Sequence, residues 1–231
     1  MQAVRRRVKI KVRKRSRSDD VLSVAFDAGL PNARWGPLFH VFRLERRDVV
    51  LKWRPVGCPA RRSLPADADV GLFAHPPSEA GLSTHTLDIS PMAVVMAAGH
   101  PLADCVELTV DDVLDQPFPG RTNHDPERTA FWTLDEYRGG LPRGTEDAVE
   151  SNDQGLDIVA AGRAIVTVPM WVTDCLWHPG VIGLPLRDGP DVTTRLVWRS
   201  ADDNPAIRAL VDLATAWTGQ AQGDERHPPP S

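Results

Sequence analysis

No stretch of this 231-residue chain approaches the ~18 consecutive apolar residues of a membrane-spanning helix, so no bilayer span is expected. Cysteine is scarce. Cys58, Cys105 and Cys175 are far apart and form no CxxC pair, which speaks against a disulfide framework or a zinc ribbon and for reduced thiols in the cytoplasm. His40, His75, His85, His100, His124 and His178 are dispersed, without HxH or HExxH spacing, so no metal site is expected. There is no GxSxG elbow, no phosphate-binding P-loop and no GxGxxG turn. Adjacent carboxylates such as Asp111 and Asp112 sit at a helix start, where capping and the helix dipole account for them. An enzyme and a cofactor are therefore not expected. No internal repeat is visible.

What is present is an ordinary globular composition, 42% hydrophobic and 25% charged, with 21 prolines that mark many element boundaries. Charge is uneven. Residues 1–20 carry nine of the 27 basic residues and two of the 31 acidic ones, a net of +7. The remaining chain is then about −11, a surface that repels nucleic-acid phosphate. The basic start resembles a signal peptide's first region, but more charge follows it where an apolar region should come. Residues 1–20 read as a disordered arm without an aromatic to stack on bases, and 219–231 (GQAQGDERHPPPS) as a disordered tail.

Between the tails, short apolar runs alternate with helical patterns. Residues 21–26 (VLSVAF), 49–53 (VVLKW), 70–74 (VGLFA), 92–97 (MAVVMA), 164–168 (AIVTV) and 194–199 (TRLVWR) read as buried strands of a largely parallel sheet. Thr109 to Asp112 and Ser151 to Gln154 have capping-box character, and Gly162 is a stop for the second helix. Asn204-Pro205 gives a cap followed by proline at the first helical position. Ile207, Leu210, Val211, Ala214 and Trp217 then line one face. A helix after the first strand fits Leu38, Val41, Phe42 and Glu45 if Pro37 lies in its first turn. Trp35, Trp53 and Trp198 fit burial in strands or helices.

Four segments in order carry a family resemblance: SPMAVVMAAGHPLA (90–103), ELTVDDVLDQPFPG (107–120), VESNDQGLDIVAAGRAIVTVPMWV (149–172), and GLPLRDGPDVTTRLVWRS followed by NPAIRALVDLATAW. Together, over about residues 21–218, the chain resembles the effector-binding domain of LysR-type transcriptional regulators. The resemblance implies an α/β, type 2 periplasmic-binding-protein-like fold of two Rossmann-like lobes joined by two crossing strands. Lobe one would be 21–95 plus 200–218 and lobe two 96–199, with crossings near 94–99 and 196–199. It also implies a small polar metabolite as effector, a homodimer, and signalling through lobe and dimer rearrangement. Two departures stand out. The family's winged helix-turn-helix should precede Val21, and residues 1–20 have no room for it, so DNA contact would need a separate N-terminal half. Where a second helix of lobe one belongs, Pro59 and Pro65 interrupt GCPARRSLPADADVG. A stand-alone solute-binding protein or an enzyme on the same fold are the alternatives.

Ligands of open α/β sheets sit beyond the carboxyl ends of strands, where helix starts converge. That rule selects Asp27 and Ala28 after the first strand, Phe73 and His75 after the third, Arg121, Thr122 and Asn123 in the second lobe, the cap at Ser151 and Asn152, and Pro169 with Trp171. Ser151 and Asn152 open a helix whose free N–H groups suit a carboxylate, although Ser151 equally serves as a cap. Arg121 suits a bidentate carboxylate or is an exposed loop residue. Asp27 disfavours simple organic acids and allows an amine or polyol, unless it pairs with Arg121. Trp171 and Phe73 could form an apolar ceiling and floor, with core packing an equal reading for Phe73.

Overall fold

The computed structural model describes residues 21–27, 32–56, 64–75, 79–121, 126–139, 144–149, 151–176 and 178–224. The expected arm at 1–20, the Pro-interrupted stretch at 57–63 and residues 225–231 lie outside them.

Three sheets organise the described strands. The first sheet is built from β1 (Val21–Asp27), β2 (Val50–Val56), β3 (Val70–Ala74), β4 (Leu82–Ser90) and β10 (Val192–Arg199), in the order β2-β1-β3-β10-β4. β1 runs parallel to β2 and β3, while β10 is antiparallel to both β3 and β4. In the second lobe, β5 (Met92–Ala97) lies between β8 (Val166–Pro169) and β9 (Val181–Pro185), antiparallel to each. A parallel pair, β6 (Phe118–Arg121) and β7 (Gly144–Val149), completes it. The sheets are mixed, so the expectation of a largely parallel sheet holds only for β2-β1-β3 and β6-β7. β4, β6, β7 and β9 were not predicted.

The lobe boundaries differ from the expected ones. β5 pairs wholly with β8 and β9, and β10 wholly with β3 and β4. The crossings thus fall at 90–92 and 186–192 instead of 94–99 and 196–199. Pro91 supplies the reason at the first crossing. It has no N–H for a ladder, so the chain pairs through Ser90 with Val192 and, one residue past the proline, through Met92 with Pro169.

Helix α1 (Asn32–Glu45) packs Trp35, Leu38, Phe39 and Phe42 into the core of lobe one. It begins earlier than predicted, which places Pro37 in the second turn and removes one intrahelical hydrogen bond there. α6 (Pro205–Asp224) lies beside α1 and β4 and buries Ile207, Leu210 and Ala214. Asn204 caps it through Oδ1, which accepts from the Ala206 N–H at 2.8 Å. The helix continues to Asp224, so 219–224 is helix where a tail was expected. Each fully buried leucine or phenylalanine here contributes about 1.5–3 kcal/mol.

β2 corrects another expectation. Val49 is buried, but Val50 is 56% and Trp53 42% exposed, because β2 is the sheet's edge strand. Trp53 lies against Phe39 and Phe26 in edge-on contacts and leaves its other face open.

Candidate functional site

The carboxyl ends of β1 and β3 sit side by side in lobe one and receive a side chain from lobe two. The short helix α2 (Val110–Val113) precedes β6, β6 is followed by helix α3 (Pro126–Trp132), and Arg128 on its first turn reaches across the seam. Its guanidinium donates to Asp27 Oδ2 at 2.8 Å, to the Ala74 carbonyl at 2.9 Å and to the His75 carbonyl at 3.3 Å. Asp27 Oδ2 also accepts the Ala74 N–H at 3.1 Å, which fixes the carboxylate against the end of β3. The pair is well shielded, with the Asp27 side chain 9% and the Arg128 side chain 19% exposed. Asp27 therefore pairs with Arg128, and the side chain of the expected partner Arg121 lies outside the described residues.

Next to this pair the His75 ring stacks on Phe131 of α3, with centroids 3.7 Å apart and planes 11° from parallel. His75 has φ +50°, a left-handed conformation that a non-glycine residue adopts at some cost. That turn directs the carbonyls of Ala74 and His75 at the same guanidinium nitrogen. The Arg128 guanidinium carbon also lies 6.0 Å from the centre of the Trp132 ring.

A second bridge joins the lobes at the first turns of α1 and of α5 (Met170–Thr173). Trp171 meets Trp35 edge-on at 6.4 Å, and the Arg34 guanidinium carbon is 5.5 Å from each ring. Arg34 donates to Asp88 Oδ1 at 2.9 Å. Asp88 and Thr194 are register partners on β4 and β10. Asp88 Oδ2, Thr194 Oγ and the indole nitrogens of Trp35 and Trp171 are buried with no hydrogen-bond partner, an arrangement that costs free energy until something satisfies it.

The predicted residues divide as follows. Asp27 and His75 meet the second lobe directly. Trp171 does so through Trp35 and Arg34, and Pro169 is the residue that opens α5. Ser151 caps α4 (Asn152–Ala160), its Oγ accepting from the Gln154 N–H at 3.2 Å, and Gly162 at φ +70° ends that helix. Arg121 ends β6 in register with Val149, two residues before Ser151, so β6 and the start of α4 share one end of the lobe; the Arg121 side chain, Ala28, Thr122 and Asn123 lie outside the described residues. Phe73 does not line the seam. It is 4% exposed and packs with Ala25, Leu64, Ala68 and Val197, because alternation on β3 turns it to the opposite face.

Arg128, Phe131, Arg34 and Asp88 were not anticipated. For the first two a signal existed: Asp125-Pro126 is the same cap-then-proline pattern that located α6. Arg34 and Asp88 are 54 positions apart and carry no local sign of their pairing.

The LysR substrate binding domain model matches residues 15–219. The chain belongs to that family. Its fold is correspondingly type 2 periplasmic-binding-protein-like, as the resemblance implied. Solved LysR-family structures superpose on this domain. The effector binding domain of QuiR in complex with shikimate is 18% identical with a TM-score of 0.72, covering 87% of this chain and 97% of that one. The BenM effector binding domain with its effector benzoate is 17% identical at a TM-score of 0.68, covering 90% and 96%. The reduced form of the OxyR regulatory domain from Pseudomonas aeruginosa is 19% identical at a TM-score of 0.63, covering 85% and 97%. At these identities the likeness establishes the fold. No curated protein matches the chain. Among the described residues of this LysR domain, no helix is long and apolar enough to cross a membrane, and no group of three His, Cys, Asp or Glu is placed to hold a metal ion.

Proposed function

We propose that this domain senses a small polar metabolite in the seam between its lobes and signals by changing the lobe arrangement, with no bond made or broken. The observation that carries the reading is the meeting of Asp27, Ala74 and His75 from one lobe with Arg128 and Phe131 from the other. A molecule that alters this meeting alters the relation of the lobes, which is a population shift. The unpartnered buried atoms at the Trp35–Trp171 bridge support a polar ligand, since each would gain a hydrogen bond from it. The family's solved members give precedent, as QuiR holds shikimate and BenM benzoate. The effector site would comprise Asp27, Ala28, His75, Arg121, Thr122, Asn123, Ser151, Asn152, Pro169 and Trp171, now joined by Arg128.

A homodimer is part of this reading. The exposed Val50 and Trp53 of the β2 edge strand, and Leu44 at the end of α1, offer apolar surface for a second copy. Light scattering should return twice the 25.4 kDa chain mass, and a monomer at micromolar concentration rejects this part.

Thermal shift against a panel of polar metabolites tests the sensing role. A ligand at about 100 times its Kd adds roughly 2.7 kcal/mol, which for a domain of this size is a rise of about 5–10 °C. Ser151→Ala with Arg121→Ala should abolish the shift. A shift that survives both substitutions rejects the placement, and no shift for any compound rejects sensing.

A further inference from the structure

On the wall of lobe one, the described atoms that meet the Arg128 guanidinium are all hydrogen-bond acceptors. Asp27 Oδ2 and the carbonyls of Ala74 and His75 converge on one guanidinium at 2.8, 2.9 and 3.3 Å. The wall lies at the carboxyl ends of β1 and β3, where open sheets take ligands. A carboxylate or phosphate brought to these three atoms would meet one negative charge and two carbonyl dipoles. A planar cation meets three acceptors and the Trp132 ring, whose face lies 6.0 Å from the present guanidinium carbon.

We propose that this wall is a recognition site for a guanidinium or primary ammonium group, and that Arg128 occupies it as a tethered stand-in for a cationic effector. The proposal rests on the reading of the seam as the effector site and adds the chemical class of its ligand. Arg128 comes from the other lobe, so its departure uncouples the lobes at the point where the ligand enters. The left-handed turn at His75 is what sets its carbonyl beside that of Ala74, so the cradle is built into the backbone of lobe one and remains when Arg128 leaves. The ligand's cationic head forms the bonds Arg128 now makes, and the freed Arg128 can hold an acidic group elsewhere on the same molecule.

Isothermal titration of the full chain with agmatine, arginine and citrulline tests this. Citrulline replaces the guanidinium with a neutral urea of nearly the same shape. Agmatine or arginine should bind, and citrulline should bind at least about tenfold more weakly, as expected when a charge-assisted contact to a buried carboxylate is lost. Arg128→Gln removes the internal competitor and should tighten agmatine by about tenfold or more. Asp27→Asn should abolish binding. Circular dichroism establishes that each variant folds, and the agmatine-to-citrulline comparison on the unaltered protein does not depend on any variant. Binding of neither agmatine nor arginine, or equal binding of citrulline, overturns the proposal. So does agmatine binding that Asp27→Asn leaves intact. If an acidic compound such as shikimate binds and the cations do not, the ligand class falls while sensing stands. If nothing in the wider metabolite panel binds the folded protein, sensing falls with it.

Discussion

Cutting the link between Asp27 and Arg128 is the sharpest test of how the two lobes are held. Arg128 makes three hydrogen bonds into lobe one, two of them at 2.9 Å or shorter. Bonds to charged groups contribute about 1.5–3 kcal/mol net. Truncating one partner of a fully buried pair costs about 3–5 kcal/mol, and the 19% exposure of Arg128 lowers that. Arg128→Met should therefore destabilise by about 3 kcal/mol, a fall in Tm of about 6–12 °C for a domain of this size. Asp27→Asn keeps the shape and an acceptor oxygen and should cost about 2 kcal/mol. The double variant should lose only about 3 kcal/mol, because the second substitution acts on a group that has already lost its contact with Arg128. The resulting coupling is about 2 kcal/mol. Urea denaturation of the four proteins, read by tryptophan fluorescence and circular dichroism, measures it. Additivity within about 0.5 kcal/mol would show that the two side chains are neighbours without being a fastening.

Three further predictions concern single features. Ser151→Ala removes the hydroxyl that accepts from the Gln154 N–H and should cost about 1 kcal/mol, with Ser151→Asp restoring most of it; an unchanged Tm in the alanine variant would mean that the cap is idle. Leu196→Ala empties a fully buried position on β10 between β3 and β4 and should cost about 2–5 kcal/mol, so a loss below about 1 kcal/mol contradicts the packing described. The Asp112 carboxyl is held below its ordinary range, first by the Thr109 hydroxyl and then by the Thr109 N–H. Because its folded pKa is depressed, its stabilising contribution is present above the unfolded value of about 3.9 and disappears as pH falls through the folded one. A carboxyl-carbon NMR titration should give Asp112 a midpoint below that value, and a midpoint at or above it refutes the arrangement.

Local signals in the sequence were strong where a segment is buried on both sides or carries its own cap. β3 and β5 were delimited to the residue, since 70–74 and 92–97 are uninterrupted apolar runs with every residue buried. α4 and α6 were announced by Ser151, Gly162 and Asn204-Pro205. β4 went unread because LSTHTLDIS is mostly polar and half exposed, an edge strand that owes its existence to pairing with β10 instead of to its own residues. β2 misled in the opposite sense, since VVLKW has the composition of a buried strand and sits on the edge. At the site, strand ends were legible because parallel strands put their ligand loops in a predictable place. The partner of Asp27 was not, because which cation reaches it depends on how lobe two is set against lobe one. Asp27 and Arg128 are 101 positions apart, and nothing local in the sequence encodes their meeting.

The strength of the fastening decides how the domain can respond. A coupling near 2 kcal/mol, at 1.4 kcal/mol per factor of ten, favours the joined arrangement about thirtyfold over one in which Arg128 is released. A ligand that binds both arrangements equally leaves that ratio unchanged, however tightly it binds. To reverse it, a ligand must prefer the released arrangement by more than about thirtyfold, which it achieves most directly by taking the acceptors Arg128 gives up. The second bridge, of Arg34 with Trp35 and Trp171, involves none of those acceptors and can keep the lobes connected while the first is exchanged. The lobes would then pivot about the Trp35–Trp171 contact rather than separate. A molecule that merely fills space near Trp171 should bind without moving Arg128, so affinity and signalling should be separable among ligands of this domain.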